Sequence, residues 1–364
     1  MSIADAAAAI SEREIAGLFA LFPRSGRVIL AVSGGADSTA LMVLAQRWRR
    51  RRTHGPDLIA ATVDHGLRSG SRAEANAAGA LARRLGLSHE ILRWRGAKPK
   101  TGVEAAAREA RYRLLAELAR RRGAEAIATA HTLDDQAETV LMRLAAGSGP
   151  AGLAGMRPRD VRSRVVLLRP FLHVRKARLV ATLTRAGIAW ADDPTNADPA
   201  FARARLRAAS AVLAREGLTP ERMGRLAERM ARYEEAVAAG VEMARARVAD
   251  PQCPGRLDGR ALVELPEEIA LRLLAAEIAG ASAPRTAEKP LRLQRLEALW
   301  RELRAAIAAK RATRRTLAQA LVSVDRHGTV LIATAPPRRS PARYIGTASR
   351  RRRNAAKHPF TKPR

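Results

Sequence analysis

Sulfur chemistry has almost no material in this chain of 364 residues. Cys253 is its only cysteine, which excludes an intrachain disulfide, a Cys-x-x-Cys redox pair and a thiolate zinc site. A reducing compartment fits. Acid is scarce as well: 35 Asp and Glu stand against 66 Lys and Arg, a formal net charge of +31. That exceeds what solubility asks and suits a polyanionic partner, nucleic acid first, although arginine spread over ordinary surfaces would give the same total. No run reaches the roughly eighteen apolar residues of a membrane span. The alanine-rich start is interrupted by Asp5, Glu12, Arg13 and Glu14, with no basic opening and no small-residue cleavage site. No leader is read there, and a cytoplasmic protein is expected. An internal repeat of fixed period is missing too.

What is present is a chain long enough for two or three domains, 47% hydrophobic and therefore mostly folded. Short apolar runs at Val28 to Val32, Leu58 to Val63, Glu90 to Trp94 and Ala126 to Ala130 alternate with helical patterns at Ser38 to Arg49, Arg72 to Leu85 and Val103 to Arg122. This βαβαβαβ order calls for an α/β fold with a parallel sheet and helices on its faces. Ligands of such sheets bind beyond the carboxyl ends of the strands. Three strands end there in polar residues: "SGGADS" from Ser33, "DHGLR" from Asp64 and "HTLDDQAE" from His131.

The first of these is a phosphate cradle by its chemistry. A strand that turns tightly into a helix offers unpaired N–H groups and a partial positive charge to an anion. Gly34 and Gly35 let the backbone approach a phosphate. Ser33, Ser38 and Thr39 offer hydroxyl donors, and Asp37 is placed to hold Mg2+ between carboxylate and phosphate oxygens. The Gly-Lys-Ser/Thr ending of the P-loop ATPases is absent, so the turn suits a pyrophosphate that departs. A Gly-Gly turn with incidental serines is the competing reading.

"SGGADS" resembles the loop of the ATP pyrophosphatase (PP-loop) superfamily, whose members activate a substrate oxygen with the α-phosphate of ATP. Within it the chain closely resembles the tRNA(Ile)-lysidine synthetases, through "DHGLR", "GVEAAAREARYRLL" from Gly102, "AHTLDDQAETVLMRLAAGSG" from Ala130, "LRPFL" from Leu168 and "WADDPTN" from Trp190. The likeness covers roughly the first 210 residues. It implies a PP-loop ATP-binding domain and a ligase: the wobble cytidine of the CAU-anticodon isoleucine tRNA is adenylated on its C2 oxygen, and L-lysine displaces AMP to give lysidine. ATP and Mg2+ are the implied cofactors. Ser33, Gly34, Gly35, Ala36, Asp37, Ser38, Asp64 and His65 are the implied nucleotide site, with Asp37 as metal ligand.

A protein of net charge +31 attracts RNA and ATP but repels lysine, so an acidic pocket is required. Asp135 and Glu138 share one face of a helix beginning at the fourth strand end, while Ala137, Val140, Leu141 and Leu144 are expected to face the sheet. Two carboxylates there could hold an ammonium. The spacing from Thr132 to Asp135 equally suits a capping box, and the residues alone leave both roles open. The resemblance implies lysine binding by Asp135 and Glu138, and Asp135 is the candidate acceptor or orienter for the lysine proton. His131, where strand meets helix, is a candidate to contact ATP or RNA phosphate or to orient a carboxylate, with hydrogen-bonded structure as its other reading, and the resemblance implies contacts of Arg108 and Arg111 to phosphate or the target base. In "FARARLRAAS", Arg203, Arg205 and Arg207 are RNA-binding candidates, though Ala204 stands where the family commonly has asparagine.

The expected organisation is a PP-loop catalytic domain over residues 1–210, a helical connector over 211–250, a small α+β tRNA-binding domain over 251–335 and a basic disordered tail over 336–364. Turn formers in Asp192 to Phe201 and Asp250 to Gly255 mark the boundaries. Thr219 and Pro220 cap a helix whose Met223, Leu226, Met230, Tyr233 and Val237 form a packing stripe. Leu321 to Thr334 reads as a β-hairpin turning near His327 and Gly328. A homodimer is among the assemblies this allows. The alternatives are another PP-loop tRNA-modifying enzyme, from which the missing cysteine pairs set a thiolase apart, or a noncatalytic basic RNA-binding protein.

Overall fold

Strands form where apolar runs meet turn residues, and helices fill the intervals. The computed structural model describes residues 8–66, 70–96, 98–99, 101–162, 165–191, 202–281 and 291–336. Leu67 and Arg68, the proposed boundary at Asp192 to Phe201, and residues 337–364 of the basic tail lie outside them. In chain order the elements are α1 (Glu12–Leu18), β1 (Arg27–Ala31), α2 (Ala36–Arg50), β2 (Asp57–Asp64), α3 (Ser71–Arg84), β3 (Ser88–Arg93), α4 (Val103–Arg122), β4 (Ala126–Ala128) and α5 (Leu133–Ala145). The short α6 (Pro150–Leu153), β5 (Arg159–Arg162), β6 (Val165–Leu168), α7 (Lys176–Arg185), α8 (Ala202–Ala208), α9 (Ser210–Arg215) and the long α10 (Pro220–Val248) follow.

Six strands make one sheet in the order β3-β2-β1-β4-β6-β5. All neighbours are parallel except β5, which runs antiparallel to β6 at the edge. The expected parallel α/β sheet is therefore present, with a mixed edge that the sequence pattern did not announce. β1 is central and apolar on both faces. Its alternation divides two cores: Val28 and Leu30 pack with Phe19, Phe22, Trp48 and Phe171, while Ile29 packs with Leu115 and Leu118 of α4. Because β2 and β4 lie on opposite sides of β1, the order in which strands are added reverses there. Sheets of this kind bind ligands at such a switch point, here the carboxyl ends of β1 and β4.

The face of α5 corrects one expectation. Ala137, Val140 and Leu141 pack with Met223, Leu226 and Ala227 of α10 rather than with the sheet, and Leu144 is 49% exposed. Gly224 makes that approach close, since a Cβ there would meet Leu133 at 2.6 Å. Met223 and Leu226 thus serve as packing residues, whereas Tyr233 of the same stripe is 48% exposed.

The chain divides into two compact units after Ala236, inside α10. The second unit adds β7 (Arg256–Asp258), α11 (Gly259–Val263), α12 (Glu267–Ala281), α13 (Leu293–Ala308), β8 (Thr313–Leu317), β9 (Ala320–Val324) and β10 (Thr329–Thr334). Its four strands form an antiparallel sheet in the order β7-β10-β9-β8 around a core that includes fully buried Trp300. The β9–β10 hairpin turns where the sequence places it: Asp325 accepts the N–H groups of His327 and Thr329 at 2.8 and 2.9 Å, and Gly328 takes φ +88°. No helix among the described residues is long and apolar enough to cross a membrane.

Candidate active site

The turn after β1 is braced from within. Gly34 adopts φ +93°, a conformation that side chains disfavour, and Gly35 is the N-cap of α2 with no side chain to occupy the first amides. Ser38 Oγ receives the Ser33 N–H at 3.0 Å and donates to the Gly35 carbonyl at 3.0 Å. Thr39 Oγ1 donates to the Gly34 carbonyl at 3.2 Å. Both side chains are buried. Ser38 and Thr39 therefore shape the turn instead of projecting donors from it, which narrows their expected part. The surface left for an anion is the bare helix N-terminus with its positive dipole end.

Asp37 sits in the first turn of α2. Its Oδ2 lies 3.4 Å from Lys176 Nζ, while Oδ1 is buried with no hydrogen-bond partner. Burial raises its carboxyl to about 6; the Lys176 charge opposes this, and Asp135 and Asp134 add to it. An orphaned buried carboxylate oxygen beside an open helix terminus fits a magnesium ion. Among the described residues no cluster of three or more His, Cys, Asp or Glu side chains could hold a metal, so phosphate and water would complete the shell.

The ends of β2 and β3 add a second wall. Asp64 Oδ1 accepts the Gly66 N–H at 2.9 Å and the Ser71 hydroxyl at 2.8 Å, and these bonds hold its carboxyl below the ordinary range. Asp64 thus ties Gly66 to Ser71, the first residue of α3. His65 lies edge-on to Trp94, with ring centroids 6.0 Å apart; burial first, then Arg111, depress its pKa. Lys98 lies over the Trp94 ring at 4.9 Å. Arg108 and Arg111 both flank the Tyr112 ring, at 5.3 and 5.4 Å, and the Arg111 Nε is buried without a hydrogen-bond partner.

The wall beyond β4 carries the acids. His131 Nδ1 is 2.8 Å from Thr129 Oγ1. Burial, opposed by Asp135 and reinforced by Arg111, Arg169 and Arg108, holds its imidazole neutral at physiological pH. A neutral imidazole can orient or exchange a hydrogen bond. Asp135 completes a capping box: its Oδ2 accepts the Thr132 N–H at 2.8 Å and the Thr132 hydroxyl at 2.9 Å. Its other oxygen is 3.9 Å from Arg207. The Glu138 side chain is only 10% exposed and pairs with Arg207 Nε at 2.6 Å, with Arg203 Nε 4.0 Å away. Burial pushes the Glu138 carboxyl up, and the Arg207 guanidinium pulls it back down. Arg203 and Arg207, one turn apart on α8, thus face the acids, while exposed Arg205 lies on another side of that helix.

Four partners escaped the sequence reading. Lys176 and Arg175 come from the start of α7, and Arg175 joins Asp134 at 3.1 Å to Glu221 at 2.6 Å. Thr129 and Trp94 support the two histidines. Nothing in "HVRKARL" distinguishes Lys176 from the other basic residues; only the fold brings it to Asp37. Electrostatics unite the walls: Asp135 acts on Asp37, Arg111 and Arg108 act on His131, and Asp37 acts on Arg207.

A family model described as a PP-loop domain matches residues 8–212. The tRNA(Ile)-lysidine synthase of Methylobacterium sp. (strain 4-46) is 54% identical over 324 residues, which are 88% of this chain and 92% of that protein. The tRNA(Ile)-lysidine synthase of Bradyrhizobium sp. (strain BTAi1) is 50% identical over 348 residues, 91% of this chain and 96% of its own. Among solved structures, the U34-tRNA thiolase NcsA from Methanococcus maripaludis with its 4Fe-4S cluster superposes at TM-score 0.51 and 17% identity, over 60% of this chain and 77% of that one. That likeness is one of fold.

Proposed function

The chain belongs to the tRNA(Ile)-lysidine synthases of the PP-loop family, and from that premise we propose how its residues divide the reaction. It is an ATP-using ligase of tRNA modification that forms lysidine. The proposed substrates are the wobble cytidine of the CAU-anticodon tRNA(Ile), ATP and L-lysine. The proposed compartment is the cytoplasm, where the three meet.

The observation that supports this division is the electrostatic coupling of Asp37, with its orphaned oxygen, to a helix that presents half-buried Asp135 and buried Glu138. The N-terminus of α2 cradles the phosphates, and Asp37 would hold magnesium. Bound there, the metal supplies positive charge against the pyrophosphate that leaves as the cytidine C2 oxygen bonds the α-phosphorus and the α–β bridge breaks. Lys176, 3.4 Å from Asp37, is placed to take up the same anion. Arg108 and Arg111 carry the cytidine or its phosphate, with neutral His131 as an orienting hydrogen-bond group.

In the second step the lysine ε-amine bonds C2, the C2–O bond breaks and AMP leaves. Asp135 and Glu138 hold the ammonium first. The proton then goes to Glu138 rather than to Asp135, the acceptor that the sequence suggested. Asp135 has one oxygen committed to Thr132, whereas burial already lifts Glu138. The test is incubation with CAU-anticodon tRNA(Ile), ATP and L-lysine, followed by mass analysis of the nucleosides. One cytidine should gain a lysine less a water, with AMP and pyrophosphate formed only when tRNA is present. Lysine-independent masses would overturn the assignment.

A further inference from the structure

The Glu138 carboxylate reserved above for a substrate ammonium already holds a cation. Arg207 sets Nε 2.6 Å from Glu138 Oε1 and Nη2 3.2 Å from Oε2. The same Nη2 is 3.9 Å from Asp135 Oδ1, and the remaining Asp135 oxygen is held by Thr132. One guanidinium thus faces three of the four oxygens of the pair, and the capping box takes the fourth. An ammonium would have to compete with it: both Glu138 oxygens already accept from the guanidinium, around a side chain that is 10% exposed, while Asp135 Oδ1 is within ion-pair reach of Arg207 without a hydrogen bond to it.

We propose that Arg207 is an internal surrogate for the amino-acid substrate, which closes the lysine site of the free protein until tRNA draws the guanidinium away. The inference rests on the assignment of Asp135 and Glu138 to lysine. Three features support the exchange. The Arg207 side chain is 40% exposed, so an outside anion can reach it. A guanidinium grips a phosphate with the same two-pronged geometry as a carboxylate, and the RNA backbone is the polyanion this ligase must bind. Finally, α8 has only seven residues, "ARARLRA", and buries Ala204 alone, so little apolar packing opposes its shift. The consequence is an order of binding, tRNA before lysine. Departure of Arg207 frees both Glu138 oxygens for the ammonium.

The experiment is equilibrium dialysis of labelled L-lysine against the full chain, without ATP, with and without tRNA(Ile). Wild type alone should bind lysine weakly, and saturating tRNA should tighten binding by about tenfold or more. Arg207→Met should bind lysine about tenfold more tightly than wild type without tRNA, and tRNA should add little further. In steady state the variant should show a lower lysine KM and a higher tRNA KM, opposite movements that a merely structural ion pair would not produce. Arg207→Lys, which keeps the charge but loses the fork, should fall between and covers the case in which Met fails to fold. Wild-type affinity indifferent to tRNA, or variants that bind lysine no better than wild type, would overturn the surrogate. A Glu138→Gln variant with unchanged lysine KM would instead remove the lysine assignment itself.

Discussion

Replacing Asp37 with asparagine should make the protein more stable and inactive, and the size of the gain follows from burial. The ordinary Asp value is 3.8, and in the folded chain the carboxyl is raised to about 6, chiefly by desolvation. The folded protein therefore keeps this proton over a range in which the unfolded chain has released it. Folding carries no penalty from the group below about pH 3.8, loses stability as pH rises toward 6, and carries the whole penalty above that. At about 1.36 kcal/mol per pH unit the gap amounts to about 3 kcal/mol. The side chain is still 24% exposed and Lys176 loses a partner on substitution, so about 1–3 kcal/mol is expected. Asparagine keeps the shape and drops the charge. Thermal melts of wild type and Asp37→Asn at pH 8 should then differ by several degrees, at about 2–4 °C per kcal/mol for a unit of this size, and converge near pH 4. Pyrophosphate release by the variant should fall by about 10²-fold or more, because the charge on the departing group loses its counterpart. Equal melting temperatures at pH 8, or an identical gain at both pH values, would refute the burial argument.

Two further substitutions separate shape from charge. Asp135→Asn retains an oxygen that can accept from Thr132, so its unfolding midpoint in urea should stay near wild type while the lysine KM rises. Asp135→Ala should raise the KM and also cost about 1 kcal/mol from the lost capping box. Gly34→Ala forces a Cβ into φ +93°, at a cost of about 1–3 kcal/mol, and should weaken ATP binding in a nucleotide titration while lysine binding to the tRNA complex stays unchanged.

Local chemistry was legible in the sequence wherever neighbours along the chain suffice. The apolar run ending in "SGGADS" yields a central strand, a positive-φ glycine and a bare helix start, all properties of a contiguous segment. Thr132 and Asp135 announce a capping box for the same reason, and Asp325 to Gly328 announce a hairpin turn. Tertiary structure alone decided the partners. Lys176 reaches Asp37 across more than a hundred residues, and Arg207 reaches Glu138 across 69. The apolar side of α5 turns to α10 instead of the sheet, since periodicity states that a face is buried but not against what. Composition made the chain a polycation, but only the fold gathered Asp37, Asp135 and Glu138 into one acidic patch and set an arginine upon it. Charge pairing between remote segments depends on distances in space, which no spacing along the chain encodes.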